Sequence, residues 1–334
     1  MKNDENKIVI FSVEDDVSTT KVMRWMNYLD SSINIVRLHP SDFYESEIEM
    51  IGILNPITIK MKRTMLSTDK ISVVWMRKWG KIKFLDNVSD KLILNNLSQI
   101  SANLHEEFCG FFDFLIFKIE QNKNTLWLNK PSFNSPNKLK QLLIADQLGL
   151  KTPFTILNTK LNFDYSNQNI ITKPISDCVC LFNEKDVYCN YTSRVSKNEF
   201  AKDFFVSLFQ REIHKELELR VFFIDGQCYT MAIFSQNNSR TEVDYRNYDN
   251  INPSREEYYE LPQNVCSKIS FFMKEMNLQT GSLDFILDTK GEYVFLEVNP
   301  CGQYDIFNSC NVYPDKLIAE SLIKKHYEYN QKNC

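Results

Sequence analysis

The stretch from Gly281 to Gly302, GSLDFILDTKGEYVFLEVNPCG, gathers acidic and amide side chains on what must be two strands joined by a turn at Asp288 to Gly291. On the second strand, alternation puts Val294, Leu296 and Val298 on one face and Tyr293, Phe295, Glu297 and Asn299 on the other. If Leu287 pairs with Glu292, Asp284 falls opposite Phe295 and becomes a diagonal neighbour of Glu297. Asp284, Glu297 and Asn299 then form one cluster of oxygen ligands. Oxygen ligands without histidine suit Mg²⁺, which binds through few carboxylates and completes its shell with substrate phosphates. The same alternation also allows the plain alternative that Glu297 points outward from a half-exposed strand and Asn299-Pro300 only makes a turn.

A triphosphate needs separated cations, and the sequence offers Lys138 near a helix start, Lys173 at a strand end, Arg220 on a strand and Arg246 in a polar loop. Taken singly, each is a solvated surface charge. Cys178 and Cys180 form a lone C-x-C, which is given no role.

These residues must be carried by an α/β start and two further segments. KIVIFSV is a buried-strand signal, followed by a helical pattern over Thr19 to Leu29, a strand at Ile33 to Leu38 and a buried run from Ile71 to Met76 ending in Arg77 and Lys78. A long helical stretch from Asp90 to Ile119 closes this segment, and the Pro- and Asn-rich phrase TLWLNKPSFNSPNK predicts a boundary near residue 125. The helix Lys138 to Leu148 ends on Gly149 as its cap. The expected domains are an N-terminal α/β domain (1–124), a small central α+β unit (125–204) and a C-terminal unit (205–334) with a hairpin turning at Asp225-Gly226. Arg77 and Lys78 could face acceptor carboxylates at the carboxyl ends of parallel strands, or form a surface ion pair.

Composition bounds the partners. With 334 residues, 43% hydrophobic and 25% charged, the chain can build large cores without staples. Its 39 basic residues against 43 acidic ones disfavour sequence-independent binding to nucleic acid or to an anionic membrane. Nine cysteines with no C-x-x-C pair, and no apolar leader, predict reduced thiols in the cytoplasm.

In order and spacing, QREIHKELELRVFF, VDYRNYD, GSLDFIL and FLEVNPCGQYD resemble the ATP-grasp fold, and most closely its peptide-modifying members, the microviridin-type or graspetide maturases, including the grasp-with-spasm group. The resemblance spans the chain and is strongest over 205–318. It implies an ATP-grasp fold behind an N-terminal α/β (pre-ATP-grasp) domain, with ATP and Mg²⁺ as cofactors. It makes Lys138 and Lys173 the nucleotide lysines, Glu212 and Ile213 the hinge whose main chain reads adenine, and Glu218 the acceptor for the ribose hydroxyls. Arg220 and Arg246 would neutralise the transferring phosphoryl group, and Asp284, Glu297 and Asn299 would hold one or two Mg²⁺. Between Lys173 and Arg194, where many relatives cover the phosphates with glycines, there are none, so no lid residues are assigned.

The implied reaction activates an aspartate or glutamate side chain of a precursor peptide as an acyl phosphate, which a serine, threonine or lysine of the same peptide displaces to close a macrolactone or macrolactam. The implied partners are the leader and core of that peptide, the leader pairing with a hairpin edge near Tyr188 to Thr192, and a second copy in a homodimer. A ligase adding a free amino acid to a carboxylate is the nearest alternative, and a non-catalytic nucleotide-dependent peptide carrier is the alternative of another class.

Overall fold

The computed structural model describes residues 5–62, 64–79, 89–130, 137–160, 169–176, 180–182, 187–189, 192–195, 204–236 and 253–333. The chain forms two compact units, one made of Met1–Asn134 with Asp315–Cys334, the other of Ser135–Pro314.

In the first unit, four parallel strands lie in the order Asn34–Leu38, Lys7–Phe11, Ile71–Met76, Leu126–Leu128. The two central strands are buried at every position, because a parallel sheet is covered by helices on both faces. Leu115, Ile116 and Ile119 of the helix Leu97–Gln121 join Val9, Phe11, Val74 and Met76 in one core. The C-terminal helix Pro314–Asn333 contributes His326, whose Nδ1 lies 2.7 Å from the Ser72 hydroxyl.

At the carboxyl ends of the central strands, Arg77 Nε is 3.4 Å from Asp16 Oδ2, with only 2% and 4% of the two side chains exposed. Lys78 lies 3.4 Å from the other oxygen. Burial acts to raise the Asp16 pKa, but the Thr19 hydroxyl and the two cations outweigh it and hold the carboxyl below its usual range. Arg77 is therefore an internal ion-pair partner, neither a surface charge nor an open one.

Among the described residues the second unit contains three antiparallel sheets, a hairpin of Cys180–Phe182 with Val187–Cys189 and two larger ones. The smaller of these two has the order Ser193–Arg194, Ile170–Lys173, Ser207–Arg211, Thr155–Asn158. The larger has five strands in the order Arg255–Tyr259, Gln227–Phe234, Lys215–Ile224, Thr280–Asp288, Tyr293–Asn299. The hairpin at Asp225-Gly226 turns with φ of 45° and 88°, the left-handed pair that a two-residue turn needs to match strand twist and that this dipeptide tolerates. The helix Gln263–Glu275 buries Val265, Ile269, Phe272 and Met273. The helix Lys138–Gln147 starts on Asn137, whose side chain accepts from the Leu139 and Lys140 N–H groups.

The carboxylate hairpin forms where expected, with a different register. Leu287 pairs with Tyr293, Phe285 with Phe295, and Asp284 directly with Glu297, leaving Leu296 as the extra residue of a bulge. A bulge sends the residues on either side of it to opposite faces of regular alternation. Phe295 consequently packs into the core, its ring centroid 4.8 Å from Phe272 and 5.4 Å from Phe285. Glu297 lines a cleft instead. Strand parity had put Phe295 and Glu297 on one face and made Asp284 a diagonal neighbour; the bulge corrects both.

Candidate active site

Three adjacent strands of the larger sheet carry a row of charge. Arg220 pairs with Asp284, and Asp284 with Glu297. Arg220 Nη1 is 3.5 Å from Asp284 Oδ1. At the other end of the row, Lys138 Nζ is 3.2 Å from Glu297 Oε2. The four side chains keep only 12% to 17% of their surface exposed. Two carboxylates directly opposite each other across strands repel, so the row is cation, anion, anion, cation. A divalent ion between the carboxylates would convert their repulsion into attraction, and oxygen donors of this kind fit Mg²⁺. Among the described residues, no group of three or more His, Cys, Asp or Glu side chains is placed to hold a metal ion.

Asp284 and Glu297 line a cleft. Ile171, Ile213, Ile286 and Leu296 supply its apolar walls. Lys173, last residue of its strand and paired in register with Leu208, also lines it. Lys138 Nζ donates in addition to the carbonyls of Ser176 (2.9 Å) and Pro174 (3.4 Å), so it is held near the chain that follows Lys173.

The hinge residues lie at the same cleft. Ile213 lines it, and neither its N–H nor the Glu212 carbonyl enters a backbone hydrogen bond among the described residues. Such groups can read the edge of a heterocyclic base. The Glu212 side chain turns to Arg194, which donates to both carboxylate oxygens at 2.7 to 3.1 Å. Burial pushes the Glu212 pKa up, and the Arg194 hydrogen bonds and charge overcome this and hold it low. A depressed carboxylate pKa stabilises the fold above the ordinary glutamate pKa, and that contribution disappears as pH falls through the lowered value. Because Arg194 is half exposed, the expected effect is small: Glu212→Gln removes less than about 1 kcal/mol at pH 7. The same variant lessens the acid-side fall of stability in a urea titration run from pH 7 to pH 3.

Glu218 is buried and lines the cleft; its Oε1 accepts from Lys215 Nζ and Ser235 Oγ, both at 2.7 Å. Lys215 was not singled out in the sequence. A bulge lies between Lys215 and Leu217, so simple alternation from Glu218 puts Lys215 on the wrong face. Asn299 is at the exposed end of its strand, its Oδ1 accepting from the Cys301 N–H at 3.0 Å, and it does not line the cleft. Arg246, most of the Lys173 to Arg194 connection, and the side chains of the Tyr188 edge lie outside the described residues.

No family model matches the chain. A RiPP-associated ATP-grasp ligase of Chryseobacterium gregarium, solved in complex with ADP and a leader and core peptide, superposes with a TM-score of 0.78 over 96% of this chain and 97% of its own, at 21% identity. The chain has the ATP-grasp fold. The macrocyclase MdnC of Microcystis aeruginosa, bound with precursor peptide MdnA, gives a TM-score of 0.76 over 95% of this chain and 99% of its own, at 22% identity. Among curated proteins, a coenzyme gamma-F420-2:alpha-L-glutamate ligase of Methanococcus maripaludis is 27% identical over 264 residues, 71% of this chain and 87% of the relative. The ATP-grasp fold thus accounts for the whole described architecture, as the motif resemblance led one to expect.

Proposed function

We propose that the protein is an ADP-forming ligase that activates aspartate or glutamate side chains of a ribosomally made precursor peptide and closes ester or amide cross-links with its Ser, Thr or Lys residues. The observation that carries this reading is the row Arg220, Asp284, Glu297, Lys138, whose two carboxylates line a cleft, in a fold shared with an ATP-grasp ligase solved with ADP, leader and core peptide and with a macrocyclase solved with its precursor peptide.

An amide or ester does not form from a free carboxylate in water, so the acid must first become an electrophile. One oxygen of the substrate carboxylate attacks the γ-phosphorus of ATP, the bond to the β–γ bridging oxygen breaks, and ADP leaves. The nucleophile then adds to the acyl carbon, losing its proton to solvent, and inorganic phosphate departs with the bonding pair. The apolar walls with the Glu212–Ile213 main chain would hold the base, Glu218 the ribose, and Lys138 and Lys173 the phosphates. Arg220, with Arg246, would offset charge on the transferring group. Mg²⁺ held by Asp284 and Glu297, with Asn299 as a third ligand, would neutralise phosphate oxygens when bound. Holding both peptide ends in one protein gives ring closure a high effective concentration.

On this reading residues 125–204 and 205–334, apart from the strand Leu126–Leu128 and the last helix, which belong to the first unit, act as the two halves of the grasp, 1–124 as the preceding α/β domain, and the protein works as a cytoplasmic homodimer. No described helix is long and apolar enough to cross a membrane.

A second reading has its own support: the Methanococcus relative is a glutamate ligase, so addition of a free amino acid to a carboxylate competes with cyclisation. Coexpression with small open reading frames beside the gene, followed by mass spectrometry, separates the two. Loss of water from a peptide is the expected result. Gain of an amino-acid residue would overturn cyclisation in favour of the second reading.

A further inference from the structure

The strand Tyr293–Asn299 is the edge of the larger sheet, so its outer backbone N–H and C=O groups need partners from outside the sheet. Here the bulge sets the face on which Glu297 lies. Slipping by one residue would turn Glu297 toward the core and dissolve the carboxylate pair. The outer side of this strand is pinned at two points that bracket the bulge. On one side, the Phe295 N–H donates to the Lys151 carbonyl at 2.8 Å. On the other, the side-chain amide of Gln141 accepts from the Val298 N–H at 2.8 Å and donates to the Val298 carbonyl at 3.1 Å. Gln141 thereby imitates the missing neighbouring strand for one residue.

Gln141 is 1% exposed, and a buried amide is tolerated only when its donors and acceptors are satisfied. A leucine would fill the same space at lower cost if packing were all that the position required. Gln141 also sits one helical turn after Lys138, whose ammonium reaches Glu297. One side chain thus fixes two things together: the register that faces Glu297 toward Asp284, and the helix turn that brings Lys138 to Glu297.

We propose that Gln141 is the positioning residue of the metal–phosphate site, locking the bulged register in which Asp284 and Glu297 can share a divalent ion. The proposal rests on the ligase reading above, and its role is confined to the coupling between metal and nucleotide. Coupling is reciprocal, so Mg²⁺ tightens ADP and ADP tightens Mg²⁺ by the same factor.

The experiment is calorimetric titration of the full chain with ADP, with and without Mg²⁺, for the wild type, Gln141→Met, Glu297→Gln and the double variant. Wild type binds ADP more tightly with Mg²⁺. In Gln141→Met the Mg²⁺ enhancement falls about tenfold, and Glu297→Gln on top of it costs nothing further, because the glutamate is already misplaced. Additive losses in the double variant, or an enhancement left intact in Gln141→Met, would overturn the proposal. Absence of any ADP binding by the wild type would instead sink the ligase reading. Should Gln141→Met melt too early to titrate, Gln141→Glu keeps an acceptor for the Val298 N–H and is expected to lose part of the enhancement. Undiminished enhancement in that variant would again overturn the proposal.

Discussion

Glu297→Gln lowers ligation about a thousandfold while leaving the fold as stable as before. The expected loss corresponds to ~4 kcal/mol of barrier, the scale on which a metal-bound charge acts on a phosphoryl transfer. The stability half of the prediction follows from opposing terms of similar size. Removing the charge relieves the repulsion with Asp284 across the strand pair, worth a few tenths to about 1 kcal/mol. It also takes the charge, though not the acceptor oxygen, from the partner of Lys138 in a largely buried pair. Lys138 keeps its hydrogen bond to the Ser176 carbonyl, so it is not left stranded. The check is product formed on coexpression with a precursor, beside thermal melting of the purified variant. Undiminished product would show that the facing carboxylates are not the metal site. Lost product together with a collapsed melting temperature would show that Glu297 is structural.

The contrast between the two readings of that hairpin explains how much of the site was legible in sequence. The turn at Asp288 to Gly291 was visible because its residue types fit few conformations: the Asp288 side chain accepts from the Lys290 and Glu292 N–H groups. Asp225-Gly226 was visible for the same reason. Buried parallel strands announced themselves as unbroken apolar runs, as in Ile71 to Met76. The two bulges were not visible. At Leu296 and again at Glu216 the residue types are those of an ordinary strand, and the kink is set by what the neighbouring strands and helices demand. Each bulge moved a residue of the site: Glu297 to a position directly opposite Asp284, and Lys215 to Glu218. Gln141 was hidden for a related reason, since a lone glutamine on a helix is normally solvated, and only its burial against an edge strand gives it meaning. The return of the last helix to the first unit is likewise unmarked, because an amphipathic pattern shows that a helix packs but not on what.

Phe295→Ala tests the bulge from the opposite side and carries the largest expected effect on stability. The ring is 0% exposed and lies against Phe272 and Phe285, and truncating a buried phenylalanine costs about 3 to 5 kcal/mol. For a compact unit of this size each kcal/mol shifts the melting temperature by roughly 2 to 4 °C, so the transition of this unit should fall by about 10 °C. Leu296→Ala makes the comparison decisive. Leu296 is only half buried and lines the cleft, so its truncation costs about 1 kcal/mol, well below the range for buried leucines, and chiefly weakens nucleotide binding. Unbroken alternation predicts the reverse order, with Leu296 in the core and Phe295 beside Glu297 in the cleft. Urea unfolding followed by circular dichroism, together with ADP titration, ranks the two variants on both scales. If Leu296→Ala were the more destabilising, Glu297 would not face Asp284, and the charged row on which the catalytic reading depends would not exist.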